Sequence, residues 1–311
     1  MRAAGVSQLG GPVGPLDLPG PRPLRRGEIL VQVQASGVGN WDEFVRTGGW
    51  DTGARPPMAM GVETAGTVTA TGGAVPGFQP GDRVTTHSLP LPEQGCWAEL
   101  FIAAAAQSVP VPPGVPWDVA GAFPVPALTA DEALSGALQV RPGESVLVNG
   151  AGGVTGGLLV QLAAHYGARV IATGGPASVD RLRALGAAGI VDYHDPGWPA
   201  RVRSLAGGGA DAAVNAAPGG AADALRAVRD GGRLATITGD PPPAERSITV
   251  SAVLVTPDGP RLGRLAGLLD QGVLSVTVGG AFPLDQAAQA LATAQAGAHG
   301  AAIVLRPGGP P

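Results

Sequence analysis

Residues 145–173, SVLVNGAGGVTGGLLVQLAAHYGARVIAT, decide the fold of this chain. They open with an apolar run at 146–148 that is typical of a buried strand, and a glycine-rich turn follows. Apolar residues then recur at helical spacing as far as Tyr166, Gly167 ends that helix, and the run at 169–172 is typical of a second strand. The pattern therefore predicts a strand, a tight turn, a helix and a strand.

The glycine-rich turn predicts a binding site for the pyrophosphate of a dinucleotide cofactor. Glycine has no Cβ, so the backbone can approach the phosphates closely, and the helix N-terminus offers unpaired N–H groups and a positive dipole end. An ordinary strand-to-helix turn is the alternative, but the flanking elements all fit the cofactor motif. The turn residues assigned to the cofactor are Gly150, Gly152, Gly153, Val154 and Thr155.

Composition narrows the class of protein. The chain has 311 residues, enough for two domains, and a net charge of −4, which gives no indication of a nucleic-acid partner or an anionic membrane surface. No apolar segment reaches the ~18 residues of a membrane span, and the N-terminus lacks a signal-peptide core, so we expect a cytoplasmic enzyme. The single cysteine, Cys96, excludes an intramolecular disulfide, and the absence of lysine excludes lysine catalysis.

Hydrophobic patterning changes near residue 125. Short β-like runs precede it, at 29–35, 64–70 and 97–102, as in a barrel-like all-β domain. Strands and helices then alternate, which predicts a parallel sheet with helices on both faces. The strands are expected at 146–149, 170–173, 189–192, 212–215 and 234–237, and the helices at 178–185, 198–205 and 221–228. The tail adds a strand at 273–276, a helix at 284–296 and a strand at 302–305.

A family resemblance becomes specific at this point. GAGGVTGGLLVQLA at 150–163, ASGVGNWDEFVRTGGW at 35–50, PGDRV at 80–84 and GAAIVLRP at 300–307 follow one another as in the zeta-crystallin-like quinone oxidoreductases of the medium-chain dehydrogenases/reductases. The resemblance implies an α/β fold: a GroES-like β-barrel catalytic domain at 1–124, completed by 266–311, and a Rossmann-type doubly wound parallel sheet at 125–265. It also implies a cleft between these domains.

Zinc ligands are missing at the positions where related alcohol dehydrogenases carry them. Those enzymes have an early cysteine and a His-Glu pair, but this chain has Gly39 in the early segment and Val62-Glu63 at the pair. The four histidines are scattered, so we expect no metal. Without a Lewis acid, an electron-poor C=C bond is an easier hydride acceptor than a simple ketone.

The cofactor preference is expected to be NADPH, with NADH less favoured. NAD enzymes of this fold place an acid at the end of the second strand, but this chain has Thr173 and Gly174 there. Ser178 either donates to the 2′-phosphate or only caps the next helix, and Arg181 reaches back toward it. The resemblance places Tyr193 beside the adenine ribose phosphate; a core tyrosine is the alternative.

The nicotinamide and substrate residues come from the resemblance. Strand-end positions along the cofactor are Asn215, Ala216, Ile237 and Thr238. Thr129 borders the nicotinamide in the family, or else caps a helix. Asn40 follows the position of the family asparagine, which is Gly39 here.

An apolar wall for a flat or aromatic small-molecule substrate is expected from Phe44, Trp50 and Trp41, although all three could simply be core. Asp42 and Glu63 are interpreted as structural. No clear proton donor emerges: His87 either faces the cleft or is an exposed loop residue, and water is the alternative donor.

These features predict an NADPH-dependent reductase of an activated C=C bond or a quinone. A pathway-specific enoyl or ketone reductase of polyketide metabolism and a non-catalytic NADPH-binding protein remain alternatives. The segment 247–255, SITVSAVLV, alternates as an edge strand does. The resemblance implies that two such edges pair in a homodimer, and an edge covered within a monomer is the alternative.

Overall fold

The computed structural model describes residues 1–308, so the end of the tail assigned to the barrel domain, residues 309–311, lies outside the described residues. The chain forms two compact units. The first contains residues 1–128, 256–272 and the chain from Val276 onward, and the second contains 129–255 and 273–275. Residues 256–265, expected in the second unit, belong to the first, because their helix packs on a strand of the barrel unit.

The secondary structure runs as follows in chain order. The strands are β1 Arg2–Val6, β2 Gly14–Asp17, β3 Glu28–Val38, β4 Met58–Ala59, β5 Glu63–Thr71, β6 Arg83–His87, β7 Leu100–Ala104, β8 Ser108–Pro110, β9 Ser145–Asn149, β10 Arg169–Thr173, β11 Gly189–Val191, β12 Ala210–Asn215, β13 Val228–Thr236, β14 Thr249–Ala252, β15 Val278–Pro283 and β16 Ala302–Arg306. The α-helices are α1 Trp41–Thr47, α2 Trp117–Gly121, α3 Pro124–Asp131, α4 Val154–His165, α5 Val179–Ala184, α6 Trp198–Leu205, α7 Ala221–Ala227, α8 Gly259–Asp270 and α9 Ala287–Gln295. A π-helical segment, Glu132–Ala137, follows α3, and within residues 1–308 no helix is long and apolar enough to cross a bilayer.

The first unit is organised around the long strand β3. One edge of β3 pairs antiparallel with β5 along most of its length. The other edge is divided: β7 pairs with its first half, and β16 pairs with residues 36–38 at its end. Strand β16, near the end of the chain, therefore completes the sheet built around β3, as expected for a GroES-like domain whose tail returns to it.

The second unit is a six-stranded, fully parallel sheet with the order β11-β10-β9-β12-β13-β14. This is the order of a doubly wound Rossmann sheet. The strands remain parallel, but the order in which the chain adds them reverses between β9 and β12. Strand β9 is buried along its whole length, as a central parallel strand must be. Helix α4 is buried from Gly156 to Ala163, so its apolar residues occupy more than one face.

Two strand predictions were wrong in informative ways. Residues 273–276 form no strand, because Ser275 bonds to a helix side chain: its backbone N donates to Oε1 of Gln161 at 2.8 Å, and Gln161 Nε2 donates back to its carbonyl at 3.1 Å. The run expected at 97–102 begins its strand only at Leu100, because Ala98 first bridges to Ala3 of β1. The edge segment 247–255 shortens to β14.

Candidate cofactor and substrate sites

The glycine-rich turn contains glycines of two kinds. Gly150 has φ +81°, and a Cβ on it would lie 2.7 Å from the carbonyl carbon of Ala216; a Cβ on Gly156 would lie 2.2 Å from the Gly150 oxygen. These two are required by packing. Around a Cβ on Gly152, by contrast, no described atom lies within 4 Å, and on Gly153 the nearest lies at 3.8 Å. Those two leave open space beside the turn, which suits a bound pyrophosphate.

Helix α4 presents its N-terminus to that space. Gly153 is the N-cap and supplies no side-chain cap, so no cap side chain competes for the N–H groups of Val154 and Thr155. Arg181 was expected to reach toward the 2′-phosphate, but its Nη2 donates to the Gly152 carbonyl at 2.7 Å, which places its cation at this turn. Burial lowers the pKa of its guanidinium. The donor set and the open glycines fit a dinucleotide pyrophosphate.

A hydrogen-bond network joins the carboxyl ends of the central strands. The Gly150 N–H donates to Oγ1 of Thr173 at 2.9 Å, and that hydroxyl donates to Oδ1 of Asn149 at 2.8 Å. Asn149 Nδ2 then donates to Oδ1 of Asn215 at 2.8 Å. Strands β10, β9 and β12 are thereby held to the glycine-rich turn at the place where the sheet order reverses.

The network continues to β13. Asn215 Nδ2 donates to Oγ1 of Thr238 at 2.9 Å, and both Thr236 and Thr238 donate to Oδ1 of Asp240. Burial would raise the pKa of Asp240, but the two threonine hydroxyls, together with the backbone N–H groups of Asp240 and Ala221, lower it overall. Ala216 N donates to the Asn149 carbonyl, and Ile237 N to the Asn215 carbonyl. All four predicted strand-end residues thus lie around one network.

The end of β10 carries no acid. Thr173 and Gly174 are followed by a loop in which Ser178 Oγ donates to the Gly175 carbonyl at 2.8 Å. Ser178 is the N-cap of α5 but makes no capping bond, so the capping interpretation was wrong. A Cβ on Gly174 would lie 2.7 Å from Ser178 Oγ, which brings the hydroxyl to this corner. Tyr193 is 53% exposed and is therefore not a core residue.

The barrel unit places its aromatic candidates at the surface rather than in the core. Phe44 is 58% exposed, and Trp41 and Trp50 are half-buried. Asn40 is the exposed N-cap of α1, and its side chain makes no capping bond. The alternative that these aromatics are simply core is wrong for Phe44.

Thr129 is half-buried within α3, which begins at Pro124. A position five residues into the helix cannot be its N-cap, so the alternative of a capping residue was wrong.

Four titratable side chains of the barrel unit are buried. Burial raises the pKa of Asp42 to about 8, although the Gly39 N–H donates to its Oδ2 at 2.9 Å, and burial raises the pKa of Glu63 as well. Glu63 Oε2 accepts from the Val125 N–H at 2.7 Å, and Asp42 adds to the shift by like-charge repulsion. Burial therefore favours the protonated form of both carboxyls, and a pKa of about 8 leaves Asp42 largely protonated at neutral pH.

His87 was expected either at the cleft or in an exposed loop, and the loop interpretation was wrong. It ends strand β6 and is fully buried. Its Nδ1 contacts the Val62 carbonyl at 3.1 Å, and Nε2 has no partner among residues 1–308. Burial lowers its pKa to about 4, so the ring is neutral at physiological pH.

The donors present do not suit a catalytic zinc. Burial raises the pKa of the Cys96 thiol, which donates to the Glu63 carbonyl at 3.0 Å, whereas zinc binds a thiolate. Burial favours the protonated forms of the Asp42 and Glu63 carboxyls, and the Val62 side chain offers no ligand atom. Across residues 1–308, no three His, Cys, Asp or Glu side chains come together as a metal-binding group.

Two polar residues of the cofactor unit escaped the sequence-based assignment. Asn149 was predicted only as the end of a strand, and Asp240 was not assigned at all. Asn149 carried a usable signal, because it ends a buried apolar strand just before the glycine-rich turn. Asp240 follows its strand by four residues, and only the fold brings it to the network.

Comparisons with known proteins agree with the two kinds of domain described above. Residues 25–113 match the alcohol dehydrogenase GroES-like domain, and residues 185–305 match a family described as zinc-binding dehydrogenase. Quinone oxidoreductase of Lama guanicoe is 30% identical over 98% of this chain and 97% of its own. The spectinabilin polyketide synthase system protein NorB of Streptomyces orinoci is 39% identical over 68% of this chain, which spans only 9% of that protein.

Two solved structures are similar over nearly the whole chain. A mycobacterial protein complexed with NADPH has a TM-score of 0.85 and 30% identity, covering 99% of this chain and 100% of its own. An NAD-dependent alcohol dehydrogenase has a TM-score of 0.87 and 30% identity, covering 98% and 99%.

Proposed function

We propose, from the premise that this chain belongs to the quinone oxidoreductase family of the medium-chain dehydrogenases/reductases, that it transfers a hydride from NADPH to an activated C=C bond or a quinone without zinc. The family itself makes the chain an NAD(P)H-dependent oxidoreductase. We add the cofactor preference, the class of acceptor and the absence of a catalytic metal.

The chemistry of the buried donors in the barrel unit carries the choice of acceptor. A zinc enzyme polarises a carbonyl oxygen with its metal, but here Cys96 is a hydrogen-bonded thiol, and burial raises the pKa of both Asp42 and Glu63. An enone or quinone needs no such Lewis acid, because its own conjugation moves the negative charge from the attacked carbon to oxygen. The reaction then depends mainly on positioning and on excluding water.

NADPH is favoured by the end of strand β10. An acid there would bind a ribose 2′-hydroxyl and repel a 2′-phosphate, and Thr173 and Gly174 supply none. The open space at Gly152 and Gly153, the uncapped α4 and Arg181 support the pyrophosphate assignment.

The residues act by binding and orientation. NADPH, when bound, supplies the hydride. The network from Gly150 through Thr173, Asn149 and Asn215 fixes the strand ends against which the cofactor would lie. Phe44, Trp50 and Trp41 offer apolar surface to a flat acceptor. We assign the proton that completes enone reduction to water, because Asp42, Glu63 and His87 are buried.

Turnover by the chelator-treated protein tests this function. The full chain, dialysed against a chelator, is mixed with NADPH and with a para-quinone, an enone, an enoyl thioester or a saturated ketone. We expect NADPH loss with at least one conjugated acceptor, with no gain from added zinc. Activity that appears only after zinc is restored, or only with the saturated ketone, contradicts the proposal. Tight NADPH binding without any turnover supports a non-catalytic binding protein instead.

The aromatic wall has its own test. Phe44→Ala is expected to raise the KM for an aromatic acceptor several-fold with little change in stability, because the side chain is exposed. Leu205→Ala, which removes an exposed apolar side chain from α6, is the matched control. An unchanged KM for the Phe44 variant removes that residue from the substrate site.

An enoyl reductase of polyketide type is a second candidate. The polyketide synthase segments of NorB and EryA2 are 38–39% identical to this chain over 62–68% of it. The quinone oxidoreductases are 28–30% identical over 93–98% of it, or 33–35% identical over 56–61%. A kcat/KM for an enoyl thioester that exceeds every quinone by tenfold or more, about 1.4 kcal/mol in transition-state binding, would favour this candidate. The opposite order favours the quinone reductase.

A further inference from the structure

His194 brings an imidazole to the corner where the 2′-phosphate would lie. It follows strand β11 by three residues, and its ring packs on Tyr193 with centroids 4.1 Å apart. A Cβ on Gly175, in the loop after β10, would lie 3.2 Å from Cε1 of His194. The histidine ring therefore reaches across from one strand end to the loop of its neighbour, where an NAD enzyme would carry its acid.

Asp192 fixes the orientation of this ring. Its Oδ1 lies 2.7 Å from His194 Nδ1 and also accepts from the His194 backbone N–H at 3.0 Å. These bonds lower the pKa of Asp192, so its carboxylate is ionised. Nδ1 is then the nitrogen that carries a proton, and Nε2 makes no hydrogen bond to any residue between 1 and 308. The ring is 61% exposed, which leaves room for an anion at Nε2.

Other charged groups around the corner are already engaged. Arg181 donates to the glycine-rich turn, and Arg183 lies 3.6 Å from Asp180 on the same helix. Asp195, beside His194, accepts from the Gly197 N–H at 2.8 Å. A cavity of about 350 Å³ runs from this corner between α5 and β11, with Gly174, Arg183 and Asp192 among its lining residues.

We propose that His194, oriented by Asp192 and stacked on Tyr193, binds the 2′-phosphate of NADPH through Nε2 and so sets the preference for NADPH over NADH. This rests on the proposed use of NADPH. With Nδ1 held by Asp192, a proton on Nε2 makes a charge-assisted hydrogen bond to the phosphate and balances the Asp192 charge. Without the imidazole, the Asp192 carboxylate is left beside the phosphate and repels it.

Calorimetric titration of the full chain with two fragments of the cofactor tests this proposal. Adenosine 2′,5′-bisphosphate carries the 2′-phosphate and 5′-AMP does not, so the ratio of their dissociation constants isolates that group. At about pH 7, we expect His194→Gln to lower the preference for the bisphosphate about tenfold, about 1.4 kcal/mol, relative to the wild type.

Two further variants make the result specific. His165→Gln, at an exposed histidine of α4, is the matched control and should behave as the wild type. Asp192→Asn in the His194→Gln background should restore part of the bisphosphate affinity, because it removes the repelling carboxylate. Unchanged 5′-AMP affinity shows that the variants keep a folded adenosine site.

The outcomes separate this proposal from the proposed function. A bisphosphate preference that is unchanged in His194→Gln overturns the role of His194 while leaving NADPH use intact. No preference for the bisphosphate at any pH in the wild type overturns both. Failure of both fragments and of NADPH to bind overturns the proposed function at its root.

Discussion

Asn149 and Asn215 join the carboxyl ends of strands β9 and β12 through a hydrogen bond of 2.8 Å between two buried side-chain amides. These strands flank the reversal of strand order, where doubly wound sheets bind their ligands. Through Thr173, the same network reaches the first N–H of the glycine-rich turn. The pair therefore couples the stability of the sheet to the shape of the cofactor loop.

Replacing Asn149 with alanine tests that coupling. Asn149→Ala removes a bond from Thr173 and one to Asn215, and it leaves buried polar atoms unpaired. We expect a loss of about 1–3 kcal/mol in the free energy of unfolding and weaker NADPH binding. Urea denaturation and NADPH fluorescence titration measure the two effects. Thr69→Ala, which removes one exposed bond in the barrel unit, is the control. A stability loss with unchanged NADPH affinity would make the network purely structural.

The open glycine of the turn gives a prediction for binding alone. A Cβ on Gly152 meets no described atom within 4 Å and its φ is not positive, so Gly152→Asp should fold as the wild type. Its carboxylate would occupy the space of the pyrophosphate and repel its negative charge, so we expect NADPH affinity to fall at least tenfold. Gly20→Asp, at an exposed and equally open position, is the control. If the Gly152 variant binds NADPH normally, the pyrophosphate does not lie at this turn.

Gly150 should behave in the opposite way. It has φ +81°, and a Cβ would lie 2.7 Å from backbone atoms of Ala216 and Ala217. Gly150→Ala adds about 1–2 kcal/mol of left-handed strain to that clash, so a lower Tm is expected even without cofactor. Thermal unfolding against Gly152→Ala measures it, and equal Tm values for the two variants would contradict the packing role of Gly150.

Asp42 gives a pH-dependent stability with a defined sign. Burial raises its pKa from 3.8 to about 8. A carboxyl whose pKa is higher in the folded than in the unfolded state makes its full contribution to stability below the unfolded pKa. That contribution is lost as the pH rises toward the folded pKa. Asp42→Asn should therefore flatten the fall in unfolding free energy between about pH 4 and about pH 8, by up to about 1.4 kcal/mol per pH unit. Asp285→Asn, at an exposed position, should not. An unchanged slope in the Asp42 variant would mean that the carboxyl is ionised in the fold.

The edge of the parallel sheet predicts a homodimer. Among residues 1–308, strand β14 pairs with β13 and leaves its other edge unpaired. Val253 N donates to the Thr236 carbonyl at 2.8 Å, so by alternation the N–H of Ala252 points to the outer edge. Ala252→Pro should weaken the dimer, measured by sedimentation, whereas Val253→Pro should damage the sheet itself. A monomeric wild type at micromolar concentration would mean that this edge is not an interface.

The sequence predicted the parts of the fold that local pattern controls. The unit from β9 to β10 was predictable because its strand, turn and helix lie within one continuous stretch, and helix α6 matched its predicted bounds. The segment 273–276 was not predictable, because the partner that holds Ser275 is the side chain of Gln161, 114 residues earlier. Local alternation contains no information about such a bond.

The candidate site, too, was predictable only where a local sequence motif controls it. Glycine geometry and strand-end positions follow from the motif, but burial of single side chains does not. His87 follows the PGDRV turn and looks like a loop residue, yet it is the last residue of strand β6, where it pairs with Glu63 of β5 and is fully buried. Asp42 and Glu63 gave no sign in the sequence that burial would raise their pKa values. Long-range packing sets those properties.

The fate of the hydride tests the central claim most directly. NADPH carrying deuterium at the transferable position of its nicotinamide is incubated with the chelator-treated protein and an enone, and the product is examined by NMR. A reductase of activated C=C bonds places deuterium on the carbon β to the carbonyl, and the product is a saturated ketone. Two results would contradict the account. One is an allylic alcohol with deuterium on its alcohol carbon, and the other is labelled product that forms only when zinc is restored.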